Sequence, residues 1–458
     1  MKPRLTWRGW RREPRAEPEP GEGSLVMLAA LALVAGAGSG LIVALFRLAL
    51  EGVEEWRGAL ITRAHHHPFV GFASVVLGCA AAVALAAWLV QRFSPYASGS
   101  GIPQVEGALT GDLPPAPPRL LPVKFIGGLL SIGAGMALGR EGPSVQMGAV
   151  LASLVGKAGR RAWPDLRTLV AAGAGAGLAV TFNAPIAGAV FVLEELVRRL
   201  ETRVAITALG ASASAILILR LLLGDMPDFQ VAAAAPGANA TGPLPYAVAA
   251  SWPLYLMLGV VCAIAASLYN RAILGAVALA ARLDQRCPVE LQAAAIGAIV
   301  GAVGWFAPGL VGGGDDITQR VLAGGVALGA VPLAFVVRFG LGAACYAART
   351  PGGLFAPLLV VGAQLGLLGG APAQAAFPGL GIEPVAFAVV GMAAFFTGVV
   401  QSPITGIVLV TEMTAAFTTL LPMLAACFVV MVVVNLLRTA PIYDSLRERM
   451  VNPRRLSS

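Results

Sequence analysis

Charge is what this sequence has least of. Only 12% of its 458 residues are Asp, Glu, Lys or Arg, where a water-soluble domain carries about 25%. Set against 57% hydrophobic residues and a mean hydropathy of +0.79, that shortage excludes a soluble enzyme and a disordered chain alike. A nucleic-acid partner is excluded too, because the net charge of +8 is not gathered on a basic face apart from the apolar runs. The chain has no HExxH and no GxSxG signature. Its five cysteines are scattered, with no CxxC pair, and read as small packing residues with no disulfide role. The three histidines, His65, His66 and His67, are adjacent. They read as a polar loop after the first span, although a His run can bind metal weakly. No cofactor or metal is expected.

What is present is apolar sequence in long runs, which fits a polytopic helical membrane protein. The runs cover residues 24–50, 69–90, 120–138, 169–193, 204–223, 254–279, 291–310, 321–348, 354–368, 385–400 and 404–437. A full span needs about 20 residues. Several runs fall short of that, and others could hold two crossings or one strongly tilted one. Both ends are basic, with Lys2, Arg4, Arg8, Arg11, Arg12 and Arg15 before the first run, and Arg438, Arg447, Arg449, Arg454 and Arg455 after the last. The positive-inside rule places both termini in the cytoplasm, which requires an even number of crossings. The first run is too long for a secretory h-region, has no clear cleavage site and is followed by many more spans.

Glycine is abundant, at 56 of 458 residues, which suits close-packed and broken helices. The sequence also repeats itself. Pro185, Ile186, Gly188 and Glu194 stand at the spacing of Pro403, Ile404, Gly406 and Glu412, an offset of 218, while Pro143 and Gly148 match Pro357 and Gly362 at an offset of 214. Two related halves therefore meet at a Gly- and Pro-rich connector. The expected division is a basic tail at 1–23, a membrane domain at 24–438 and a short C-terminal segment at 439–458. Within the membrane domain, the halves are 24–223 and 247–438, joined by a linker at 224–246. Asn239-Ala240-Thr241 in that linker matches a glycosylation sequon, discounted for a bacterial chain.

Three Gly-rich turns end in proline: Gly99-Ser100-Gly101-Ile102-Pro103, Gly139-Arg140-Glu141-Gly142-Pro143 and Gly352-Gly353-Leu354-Phe355-Ala356-Pro357. Proline is favoured in the first helical turn, so these read as helix N-termini, each with unpaired N–H groups and partial positive charge. Each singly could be an ordinary close-packed helix start. Converging inside a membrane, they would form an anion site that needs no full positive charge. Glu141 is an ionisable residue amid apolar sequence, and so a functional candidate. Its carboxylate could occupy that site when ionised and leave it when protonated. The alternative is a buried structural ion pair with Arg140.

These motifs, in this order, resemble the CLC family of chloride channels and proton-coupled chloride antiporters. Val105–Leu109, Pro122–Phe125, Phe182–Pro185 and Leu421–Met423 add to the likeness, which covers nearly the whole chain. The resemblance implies an all-α CLC fold: two inverted-topology helical repeats with broken helices that meet at a mid-membrane anion site. It also implies a homodimer in the lipid bilayer of the inner membrane, with chloride and protons as substrates. Ser100 then matches the serine whose hydroxyl binds the central chloride, and Glu141 the external gating glutamate. Gly142 falls in the same GREGP motif and joins the chloride-binding set. Leu354 and Phe355 match the pair whose backbone amides face the ion, and Tyr443 the tyrosine that closes the inner side. Taken alone, Tyr443 reads as an interfacial aromatic anchor.

Glu195 separates antiporter from channel. In the repeat alignment Glu194 pairs with Glu412, but Glu195 pairs with Met413, so Glu194 is architectural and Glu195 is specific to the first half. The resemblance makes Glu195 the internal proton acceptor of an antiporter. Read by itself, it could be an interfacial carboxylate near Arg198 and Arg199. Gln104, Gln401 and Ser402 depart from common family residues, and none is an expected ligand. Unaltered motifs disfavour fluoride, and no nucleotide-binding regulatory domain follows the membrane domain, which points to a prokaryotic type. Two alternatives stay open. One is a passive voltage- or pH-gated chloride channel of the same fold. The other, remote, is an intramembrane aspartyl protease, since Gly312-Gly313-Gly314-Asp315 fits GxGD and Tyr443-Asp444 supplies YD in the wrong order.

Overall fold

The computed structural model describes residues 22–224, 228–231, 244 and 246–451. The basic residues at 2–15, Arg454, Arg455, most of the connector and the sequon at Asn239 lie outside the described residues. A bilayer core offers the backbone no water, so each spanning segment must satisfy its own N–H and C=O groups as a helix. Apart from two isolated bridges, the regular structure among the described residues is helical.

The first half supplies α1 (Glu22–Ala64), α2 (Pro68–Phe93), α3 (Ile102–Thr110), α4 (Leu120–Gly133), α5 (Glu141–Ala158) and α6 (Trp163–Thr181). It closes with α7 (Pro185–Phe191), a π-helical turn at Val192–Leu196, and α8 (Thr202–Leu223). The second supplies α9 (Trp252–Leu283), α10 (Val289–Phe306), α11 (Asp315–Leu322), α12 (Val331–Ala347), α13 (Phe355–Ala376), α14 (Pro384–Val400), α15 (Pro403–Thr414), α16 (Leu420–Leu436) and α17 (Ile442–Val451). Eight of the described helices are long and apolar enough to cross a bilayer. The run at 404–437 divides into α15 and α16, and the chain turns between them at Ala415, where φ is +52°. In the other direction, α1 outlasts its apolar run and carries Glu51, Glu54 and Arg57 to Ala64.

Glycine sets how closely the inner helices approach. On Gly148 a Cβ would overlap the Gly173 carbonyl, and on Gly362 it would overlap the Gly391 carbonyl. The first contact joins α5 to α6 and the second joins α13 to α14, so equivalent helix pairs close on equivalent glycines. α14 is buried along nearly its whole length.

The repeated glutamates make the relation between halves explicit. The Glu194 carboxylate accepts from the amides of Ile404 (3.0 Å) and Thr405 (2.6 Å) at the start of α15. Glu412 accepts from the amides of Ile186 (3.1 Å) and Ala187 (2.7 Å) at the start of α7. Each half caps a helix of the other, filling donors that a helix start leaves open. Reciprocal contacts of this kind mark an approximate two-fold axis between α7 and α15.

Candidate anion and proton site

The three Gly-rich turns lie together, stitched by backbone. The Gly139 amide donates to the Gly353 carbonyl (2.9 Å) and the Gly353 amide donates back to Gly139 (2.7 Å). The Gly352 amide donates to the Gly99 carbonyl (3.2 Å), and the Gly99 amide to Thr350 (3.1 Å). The third turn is thus pinned between the other two. Gly101 enters α3 with φ +85°, a left-handed conformation that favours glycine.

Two side chains of α4 clamp this junction, and the sequence alone did not single them out for it. Lys124 is fully buried and donates to the carbonyls of Ala97 (3.0 Å) and Gly99 (2.7 Å). Ser131 donates to the Pro351 carbonyl (2.6 Å). The signal available for Lys124 was a lone cation in an apolar run. Its ammonium is spent on carbonyls of the turns, so this charge orders the backbone of the site.

Glu141 is fully buried, and its Oε1 accepts from the Phe355 amide at 2.6 Å. Its other oxygen has no hydrogen-bond partner among the described residues. Arg140 does not form the pair that the alternative reading gave it. Its guanidinium turns to Asp315 (3.4 Å) and Asp228 (3.7 Å), and Asp228 also meets Arg47 (2.9 Å). With its neighbouring cation engaged elsewhere, the Glu141 carboxylate occupies a helix-start donor that an anion could also use.

Ser100, Gly142, Leu354 and Phe355 are all buried here. A Cβ on Gly142 would press against the carbonyl and hydroxyl oxygens of Ser100, so the first and second turns touch directly. Tyr443, the first-turn residue of α17, is fully buried, which overturns the interfacial-anchor reading. Its ring lies 6.1 Å from that of Phe355, at 24°, and Phe355 packs also on Phe182, Phe191 and Phe396. The hydroxyls of Ser100 and Tyr443 are buried with no hydrogen-bond partner among the described residues. Each is an unmatched O–H group beside a helix start, able to donate to an anion.

Glu195 stands in the π-helical turn after α7 and is 3% exposed. Ser402 donates to its Oε2, and Arg198 lies 3.6 Å from its Oε1. Around it, Arg198 pairs with Asp444 (2.9 Å), Arg447 with Asp444 (3.0 Å), and Arg447 approaches the buried Glu106 (3.9 Å). Glu195 is therefore a buried member of a charge cluster; of the expected neighbours, Arg198 touches it. Tyr443 lies within electrostatic reach of Glu141, Glu195 and Glu106 alike. The two aspartates of the protease reading fall in different clusters, Asp315 against Arg140 and Asp444 against Arg198. Away from the site, His65 stacks on Trp305 with ring centroids 3.9 Å apart.

Residues 82–435 match the family described as voltage gated chloride channel. The chain is 34% identical over 426 residues to the H(+)/Cl(-) exchange transporter ClcA of Salmonella typhimurium, covering 92% of this chain and 88% of that one. The Salmonella arizonae transporter of that name aligns with the same identity and coverage. Among solved structures, a slow cyanobacterial Cl-/H+ antiporter superposes with a TM-score of 0.86 at 32% identity, covering 93% of this chain and 98% of the other. A eukaryotic CLC transporter gives 0.77 at 22% identity over 92% of this chain and 74% of its own, a likeness of fold alone.

Proposed function

This chain belongs to the CLC family of voltage gated chloride channels, and we propose that it is a secondary active transporter exchanging chloride for protons. The observation that carries this reading is the seat of Glu141: its carboxylate holds the Phe355 amide at the start of α13. An ionised carboxylate and a chloride ion want the same donors. When Glu141 takes a proton it loses the charge that holds it there, the amide is freed, and an anion can enter. When the anion leaves, the carboxylate can return and release its proton. Anion and proton movements are then tied by exclusion from a single place.

Chloride would be received by Ser100 and Tyr443 as hydroxyl donors, with the backbone at Gly142, Leu354 and Phe355 supplying the helix-start field. Such a site attracts an anion through partial charges and also lets it go. Glu195 would pass protons between the opposite side and Glu141, along a path separate from the anion path. Catalysis of a chemical reaction is no part of this reading. The protein is proposed to sit in the inner membrane as a homodimer, with both termini in the cytoplasm.

The test is transport by the reconstituted protein. Liposomes loaded with a chloride gradient, clamped in voltage with valinomycin and potassium, should show uphill proton movement driven by chloride. Glu141→Gln and Glu195→Gln should each abolish proton movement while chloride still flows. Chloride flux without proton movement in the unaltered protein would mean a passive channel and would remove the role given to Glu195.

A further inference from the structure

Ser402 occupies the residue before α15, where a serine ordinarily caps its own helix by accepting from an amide two or three positions on. Here it makes no such bond. The amides of Ile404 and Thr405 are already taken by Glu194 from the other half. The Ser402 hydroxyl, 1% exposed, instead donates to Glu195. The neighbouring glutamates thus divide one helix end, Glu194 on its amides and Glu195 on its hydroxyl.

The two-fold relation shows that this second contact is an addition. At the offset of 218 residues, Ser402 corresponds to Ala184 and Glu195 to Met413. The capping pair is kept in both halves, as Glu194 on α15 and Glu412 on α7. The hydroxyl–carboxylate pair is present in one half only, and its counterpart has lost both polar members together. Helix capping therefore does not require Ser402. Its pairing with Glu195 requires another reason.

We propose that Ser402 is a positioning residue for proton transfer, holding the Glu195 carboxylate in place and setting how readily it takes a proton. The inference rests on the exchange reading above. Several groups face Glu195 from the elements around it: Glu106 from α3, Asp444 and Tyr443 from α17, and Arg198 from its own segment, while Arg447 of α17 approaches Glu106 and Asp444. Arg203 of α8 is turned to Asp165. Among them Ser402 is a neutral donor, one that can support the ionised carboxylate without binding it as an ion pair. A hydrogen bond to the charged form favours that form, and its loss lets the proton stay to higher pH.

The experiment follows proton flux in proteoliposomes as internal pH is stepped, at fixed voltage and chloride gradient. Ser402→Ala is expected to move the midpoint of proton flux by about one pH unit toward alkaline values, the scale of one hydrogen bond to a charged group. Chloride flux should be little changed. Ser402→Thr, which keeps the hydroxyl, should return the midpoint to its original place. In infrared difference spectra, the protonated-carboxyl band that Glu195→Gln removes should rise in frequency in Ser402→Ala, a readout that needs no transport. An unmoved midpoint, an unmoved band, or an alanine effect on chloride flux that persists in Glu195→Gln would each overturn the inference. Absence of proton flux in the unaltered protein would instead sink the exchange reading, and this one with it.

Discussion

Glu141 and Glu195 are both buried carboxylates in an apolar protein, yet their surroundings differ in kind. Glu141 is held by backbone, through the Phe355 amide, and its neighbouring arginine faces away toward Asp315 and Asp228. Glu195 is held by side chains: the Ser402 hydroxyl, the Arg198 guanidinium and a ring of charges on α3 and α17. A carboxylate on a helix-start amide competes with any anion that wants that amide. A carboxylate held by side chains, off the helix-start amides, has only a proton to trade. Burial alone does not assign a role to an acid; the identity of its donor does.

The contrast can be broken most severely by deleting each carboxylate in turn. Glu141→Ala should abolish proton flux and also free the Phe355 amide, so that chloride flux loses its dependence on pH. Glu195→Ala should abolish proton flux equally, while chloride flux keeps the pH dependence owed to Glu141. Identical pH profiles for the two variants would show that the donors do not distinguish them. A smaller effect is expected at the architectural glutamates. Glu194→Gln and Glu412→Gln each weaken charge-assisted bonds to two amides, worth about 1.5–3 kcal/mol to a folded protein. Each should lower the melting temperature, Glu194→Gln by more because the Thr405 hydroxyl also donates to Glu194 (2.7 Å), and leave the ratio of protons to chloride unchanged; a variant that loses no stability would break the two-fold comparison. The least effect belongs to Asp315→Asn. It removes a partly exposed ion pair at 3.4 Å from Arg140, a kind worth about 0–1 kcal/mol. A stability change that shrinks further at high salt is the expected result.

Much of this site could be read from sequence, because its signals are local. Glycine and proline mark the turns, and Ser100, Glu141 and Phe355 sit inside them. The repeat at 218 residues likewise foretold that Glu194 and Glu412 would play one part. Their partners could not be read, since each caps a helix more than 200 positions away. Lys124 and Ser402 escaped for a related reason. A buried lysine and a helix-preceding serine both carry local expectations, an ion pair and a self-cap, and in each case a distant segment supplied the actual partner. The reach of α1 was hidden because hydropathy averages over Glu51, Glu54 and Arg57. Part of that stretch is held by packing and polar contacts, with Arg57 donating to the Gly133 carbonyl (2.9 Å) and Arg47 bridging Glu51 and Asp228.

The antiparallel bridge between Gly139 and Gly353 has a mechanical consequence. α5 and α13 start from a common pair of backbone hydrogen bonds, and both glycines are buried, so parting them would leave polar backbone groups unpaired. The two halves are therefore hinged shut at the place where ions would pass. A turnover that leaves this seam intact needs a moving part no larger than one side chain, and its cost scales with turning a few bonds instead of sliding whole helices.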